Sequence, residues 1–246
     1  MELRKDKKKL IEEMKKFLVE AINEYKGEKI GLLFSGGIDS SVLAKLLKDL
    51  EFNFICYTVG FKDSPDIEKA KEAAEIMSLP IKVGTVAEEQ LEILLKEVVQ
   101  IVGSDPIDVG VAVPVMLSAE LANMDNCSVI FSGLGSDEVL AGYGSHKKSL
   151  ELGYEQVHME CINRIEGVMK DVLRDEAIAK SVGIKIAAPY LNHKFVRLGL
   201  NIDPELKINK DQTKLILRDL GRELGLPETA VNRNKKAAQY GSGTTK

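Results

Sequence analysis

Short apolar runs rich in β-branched and aromatic residues alternate with segments of helical periodicity along most of this chain, and no other feature restricts its fold as strongly. The runs "KIGLLF" (29–34), "FNFICYTV" (52–59), "PIKVGTV" (80–86) and "CSVIF" (127–131) have the length and composition of strands buried on both faces of a parallel sheet. Helical periodicity predicts helices over 87–102, 112–124, 137–150, 154–182, 193–200 and 211–224, with an irregular tail from Pro227. Ser64, Pro65 and Asp66 form a helix start, with a hydroxyl cap, proline in the first turn and an acid at the positive end of the dipole, and Pro80 helps close that helix. Residues 1–28 read as an N-terminal helix with an apolar stripe of Leu10, Met14, Phe17, Ala21 and Ile22, and residues 29–246 as one domain.

Strand–helix–strand alternation requires right-handed crossovers, so the expected fold class is α/β: a parallel doubly wound sheet of strand order 3-2-1-4-5 with a helical C-terminal part. In that order strands 1 and 4 are neighbours where the winding reverses, and ligands bind outside their carboxyl ends. The letters FSG occur at both ends, in "FSGGIDSS" (34–41) and "FSGLGSDE" (131–138). The two turns are therefore expected to face each other across one crevice.

The first turn has the chemistry of a phosphate cradle. Gly36 and Gly37 allow a tight turn with close backbone approach, Ser35, Ser40 and Ser41 supply hydroxyls, and a helix N-terminus adds positive potential. It is neither GxxxxGK[ST] nor GxGxxG. Asp39 inside an anion site makes sense when a cation accompanies the phosphate, and Mg2+ prefers carboxylate and phosphate oxygens. Asp137 in the second turn is the expected second anchor. The competing reading is two glycine turns in which Asp39 and Asp137 merely cap helices.

Composition narrows the partners. The chain has 246 residues, 44% of them hydrophobic, enough for a sizeable core. A net charge of -4 leaves no electrostatic footprint for bulk nucleic acid or an anionic membrane, and Lys5, Lys7, Lys8 and Lys9 read as a solvated helix face. Cys56, Cys127 and Cys161 are far apart without a CxxC pair, against a disulfide framework, a zinc ribbon or an iron–sulfur cluster. No apolar run approaches the roughly 20 residues of a membrane span. A soluble cytoplasmic protein is expected.

SGGIDSS resembles the signature of the PP-loop ATP pyrophosphatases, enzymes of adenine nucleotide alpha hydrolase-like fold that cleave ATP between the α and β phosphates. Together "YTVGFKDSPDIEKAKEAAEIM" (57–77), "FSGLGSDEVLAGY" (131–143) and "RDEAIAKSVGIKIAAPYLNHKFVRLGLNIDPELKI" (174–208) are similar to the synthetase domain of asparagine synthetases and their β-lactam-forming relatives, over most of the chain from Lys29 to Tyr240. The tail "NRNKKAAQYGSG" (232–243) looks closest to asparagine synthetase domain-containing proteins. The resemblance implies a two-step ligase that uses ATP and Mg2+ to activate a carboxylate as acyl-AMP, releases pyrophosphate, and passes the acyl group to ammonia or another amine. It implies that Ser35, Gly36, Gly37, Asp39 and Ser40 hold pyrophosphate and that Asp39 and Asp137 hold Mg2+. Phe34, Val59, Ser132 and Gly133 then contact adenosine, and Lys235 of an Arg-x-Lys motif, or Lys236 in its place, sits on the α-phosphate.

Departures from the family stand beside these matches. Leu134 occupies the position of a Glu thought to handle a proton of the attacking ammonia, and leucine cannot. Gly110 aligns with an Arg ahead of the family's Thr-Pro-Met helix, and Ala187, Ala188 and Pro189 with its Ala-Arg-Val-Pro segment, removing two further cations. Glutamine-dependent members begin with a nucleophilic Cys and a glutaminase domain, whereas this chain starts Met1, Glu2, Leu3, so free ammonia, another amine or a separate glutaminase subunit is the expected nitrogen source. A PP-loop enzyme that adenylates tRNA and a non-catalytic nucleotide-binding subunit are the alternative readings. His158 and Cys161 share a helix face and read as packing, and His146 reads as a surface histidine, with a phosphate contact as the competing role because it follows the second turn closely.

Overall fold

In a computed structural model the protein is described over residues 3–62 and 64–233. Five parallel strands form one sheet of order β3-β2-β1-β4-β5: β1 (Ile30–Leu33), β2 (Phe54–Phe61), β3 (Ile81–Val86), β4 (Val129–Phe131) and β5 (Lys185–Ala187). The register places Leu32 of β1 between Cys56 of β2 and Phe131 of β4, so the two FSG turns leave the sheet side by side. The expected order and switch point are both present. The fifth strand is short because the alternation of apolar residues there spans only Lys185, Ile186 and Ala187 before Pro189 ends the ladder.

Helices cover both faces. Against one lie α1 (Lys7–Asn23), α2 (Ile38–Asp49), α3 (Pro65–Ile76), α10 (His193–Leu200) and α11 (Leu215–Glu223), and they share a core that includes Leu10, Met14, Leu18, Leu43, Leu47 and Leu217. The N-terminal helix is thus packed into the main core by the stripe its spacing predicts. The other face carries α4 (Glu88–Val102), α5 (Pro106–Met124) and α9 (Met169–Val182), joined through Val98, Val113, Ala119, Ala122 and Ile178.

Short α6 (Ser136–Val139) follows the second turn, then α7 (Gly144–Glu151), α8 (Tyr154–Gly167) and, after α11, α12 (Glu228–Val231). The single helices predicted over 137–150 and 154–182 are each broken in two, the first at the positive φ of Ala141 and the second at Val168, the turn residue between Gly167 and Met169. The predicted helix over 112–124 begins earlier, at Pro106, because Asp105 caps it by accepting from the Ile107 and Asp108 amides. The tail after Pro227 is not wholly irregular, since Glu228–Val231 makes a helical turn. Ser64 and Pro65 stand at the start of α3 and Asp66 in its first turn as expected, but the Ser64 hydroxyl makes no capping bond to the helix amides.

At 19 residues with a mean hydropathy of 1.4, α5 is long and apolar enough by composition to cross a membrane, which the expectation of no such run missed. It nevertheless packs as a core helix, with Ala112, Val113, Ala119 and Ala122 buried against the sheet and α9.

Candidate active site

The first turn leaves β1 with Phe34 buried and its amide donating to the Tyr57 carbonyl at 2.8 Å. Gly36 takes a φ of +69°, a left-handed conformation that an L side chain resists, and an added Cβ would lie 2.8 Å from the Arg233 guanidinium. Gly37 caps α2, which places Asp39 in that helix's first turn. The loop holds its own shape. Ser40 Oγ accepts from the Ser35 amide at 3.3 Å and donates to the Gly37 carbonyl at 3.2 Å, and Ser35 Oγ accepts from the Gly37 amide at 3.3 Å. Ser41 is fully buried, one residue deeper in the helix.

The second turn leaves β4 with Ser132, whose amide donates to the Ala187 carbonyl at 2.9 Å and whose hydroxyl accepts from the Leu134 amide at 3.1 Å. An added Cβ on Gly133 would come within 3.3 Å of Asp39 Cβ, so the two turns are in contact. Asp137 lies in the first turn of α6. Val59 is half-buried on β2, paired with Gly84 near the same carboxyl ends.

Asp39 and Asp137 converge on one buried cation. Lys214 Nζ stands 2.6 Å from Asp39 Oδ1, 2.7 Å from Asp137 Oδ1 and 3.0 Å from Ser136 Oγ. Lys214 sits just before α11 at φ +57°, and Gly142 makes room for it, since a Cβ there would fall 1.9 Å from Asp137 Oδ1 and 2.2 Å from Lys214 Cε. Tyr190 fixes the other side by donating to the Asp39 carbonyl at 2.9 Å, and burial pushes its phenol well above the ordinary range. The lysine ammonium supplies the positive charge between two hard oxygen donors, a donor type that also suits Mg2+. No group of three or more His, Cys, Asp and Glu side chains converges among the described residues.

Two residues at this site were not singled out from sequence. Lys214 fell inside a predicted helix, although a lysine at the positive end of a helix is electrostatically misplaced and signals an anionic partner. Arg233 reaches back to the first turn, donating to the Ser35 carbonyl and pairing with Asp66 at 2.9 Å. It bridges the cradle and the start of α3. Lys235 and Lys236 lie outside the described residues.

Other candidates take structural places. His146 is buried: its Nδ1 accepts from the Tyr143 amide at 3.1 Å, its ring stacks on that tyrosine, and burial drops its pKa to about 4. It is neutral and committed to capping α7, neither a surface residue nor placed as a phosphate contact. Cys161 packs with Ala141, Val157 and Ile208 in a small core. Gly110 is buried within α5. Behind it Arg174, itself buried, pairs with Asp175 at 2.8 Å and Asp108 at 3.5 Å, tying α9 to the start of α5, and burial raises Asp175 to about 6.

Compared with known proteins, residues 15–164 and 152–245 match the family described as Asparagine synthase. The chain belongs to the asparagine synthase family. Among its relatives is the candidate asparagine synthetase (glutamine-hydrolyzing) 1 of Methanocaldococcus jannaschii, 29% identical, with the match covering 100% of this chain and 53% of that protein. The asparagine synthetase (glutamine-hydrolyzing) of Homo sapiens is 32% identical over 89% of this chain and 40% of its own length. The chain thus spans about half the length, or less, of these curated relatives. Among solved structures, the NMN synthetase of Francisella tularensis superimposes with a TM-score of 0.52 at 14% identity, covering 96% of this chain and 78% of that one, a likeness of fold. The adenine nucleotide alpha hydrolase-like architecture expected from SGGIDSS is therefore the fold of this family member.

Proposed function

We propose that this asparagine synthase family member is an ATP-dependent carbon–nitrogen ligase that forms AMP and pyrophosphate. One observation carries the reading: the turns at the ends of β1 and β4 touch, and their two aspartates meet on a single buried cation position. That is the arrangement a metal-bound polyphosphate needs beside a glycine–serine anion cradle.

In this reading the adenosine lies against Phe34, Val59, Ser132 and Gly133, and the β and γ phosphates lie in the cradle of Ser35, Gly36, Gly37 and Ser40 at the positive end of α2. A substrate carboxylate oxygen bonds to the α-phosphorus as the bond to the bridging oxygen of pyrophosphate breaks. The cradle amides and hydroxyls meet the charge that develops on the departing pyrophosphate. An amine nitrogen then attacks the acyl carbon, loses a proton and expels AMP, leaving an amide. Mg2+ held by Asp39 and Asp137 would supply Lewis-acid neutralisation of the phosphate oxygens. Lys235 follows Arg233 by two residues, and Arg233 already touches the cradle, which supports a place for it at the α-phosphate. The nitrogen donor is ammonia or another amine, and the setting is cytoplasmic.

Nucleotide product analysis tests the assignment. Incubation with ATP, Mg2+, an acid panel and ammonia is expected to yield AMP and pyrophosphate in equal amounts. Formation of ADP and phosphate instead would reject the acyl-AMP route.

A further inference from the structure

Two of the positions at which the resemblance implies a departure from asparagine synthetases, Leu134 and Ala187, come together in space, with Ala188 beside them. Leu134 lies on the second turn, Ala187 ends β5, and Ala188 follows it; all three line one cavity of about 800 Å³. The cavity opens along the carboxyl ends of β4 and β5, and Ser132 of the second turn shares its wall. Its size falls within the range of cavities that hold organic ligands, far above what ammonia requires.

The lining is apolar where a dicarboxylic acid would want charge. Ile165, Val168 and Val172 come from the α8–α9 pair, and Val196 from α10. Arg197 is the only lysine or arginine among the described lining residues, against Glu24 and Glu176, while Asp175, also in the lining, is paired with Arg174 at 2.8 Å. A second carboxylate bound there would meet more negative than positive charge, at a wall too apolar to solvate it. An aliphatic or aryl group, in contrast, gains free energy with every buried methylene.

We infer that the acid activated by this ligase is a monocarboxylate with an apolar side chain, which occupies the cavity behind Leu134, Ala187 and Ala188. The inference rests on the ligase reading above. The acid's carboxylate has to reach the α-phosphate between the two turns, and Ser132 and Leu134 of the second turn line this space.

A homologous series reads the cavity directly. Binding of straight-chain acids from acetate to octanoate, and of L-aspartate, is measured calorimetrically on the full chain with Mg2+ and a non-hydrolysable ATP analogue. Affinity is expected to rise about 3- to 4-fold per added methylene over part of the series, at roughly 0.8 kcal/mol each. Val172→Trp, checked for folding by circular dichroism, should shorten the chain length at which the gain stops. A flat series with aspartate bound most tightly, or binding of octylamine but no acid, overturns the inference without any variant. Acid-dependent pyrophosphate exchange, run in parallel, separates the two claims. A steep binding series without exchange by any acid rejects the ligase and keeps the apolar acid site, and exchange driven by aspartate with a flat series does the reverse.

Discussion

Lys214 Nζ lies 2.6 Å from Asp39 Oδ1 and 2.7 Å from Asp137 Oδ1, so one buried ammonium ties the helix after the first FSG turn to the helix after the second. Removing it leaves two buried carboxylates facing each other with their main counter-charge gone. Lys214→Met is expected to cost about 3–5 kcal/mol of stability in urea denaturation, as for a buried pair broken from one side. Millimolar Mg2+ should recover part of that loss in the variant and change wild-type stability little. Equal stability of variant and wild type would contradict the role of Lys214 as a resident cation.

Asp39→Asn and Asp137→Asn should weaken MgATP binding by about 10- to 100-fold each, the scale of a charge-assisted contact. ATP binding measured without divalent metal should fall much less. Titration of a fluorescent ATP analogue with and without Mg2+ checks both, and metal-independent losses would remove the two aspartates from the metal assignment.

Gly142 touches no substrate in this account, yet a methyl group there would overlap both Asp137 Oδ1 and Lys214 Cε. Gly142→Ala should therefore reproduce the MgATP defect of Asp137→Asn while leaving the charge count unaltered. Its Mg2+ dependence of nucleotide binding, compared with the aspartate variant, is the measurement. A wild-type response would mean that the junction adjusts without disturbing the site.

Burial holds the folded-state pKa of His146 at about 4, below the 6.5 of an unfolded histidine. Below 6.5 the unfolded chain binds the extra proton, so the neutral histidine's contribution is complete above that pH and is lost as pH falls toward 4. Asp175, raised to about 6, acts in the opposite direction over nearly the same window, because its protonated folded form favours the native state at low pH. Stability relative to a His146→Phe variant isolates the histidine. That difference should grow by about 3 kcal/mol between pH 4 and 6.5, at roughly 1.36 kcal/mol per pKa unit.

Much of this arrangement was legible in the residues. The strand runs ending at Phe34 and Phe131 fixed two adjacent carboxyl ends, and glycine, serine and aspartate after each pointed to one crevice. Local pattern could not show that Lys214 crosses from a distant helix to join Asp39 and Asp137, because the contact spans 175 residues and depends on a left-handed turn and the space left by Gly142. His146, read as a surface histidine, is instead buried, because the stack on Tyr143 turns it inward in a way that its sequence neighbours do not signal. The division of 154–182 into two helices falls just after Gly167, and a single glycine inside a helical pattern does not by itself end a helix, so periodicity alone ran through it.

If a carboxylate is adenylated between the two turns, labelled pyrophosphate exchanges into ATP whenever the right acid is present. The assay contains the full chain, ATP, Mg2+, a panel of apolar monocarboxylates together with aspartate and glutamate, and no amine. Exchange that depends on an added acid, and disappears in Asp39→Asn, is the predicted result. Tight MgATP binding without exchange by any acid would contradict adenylation at this site.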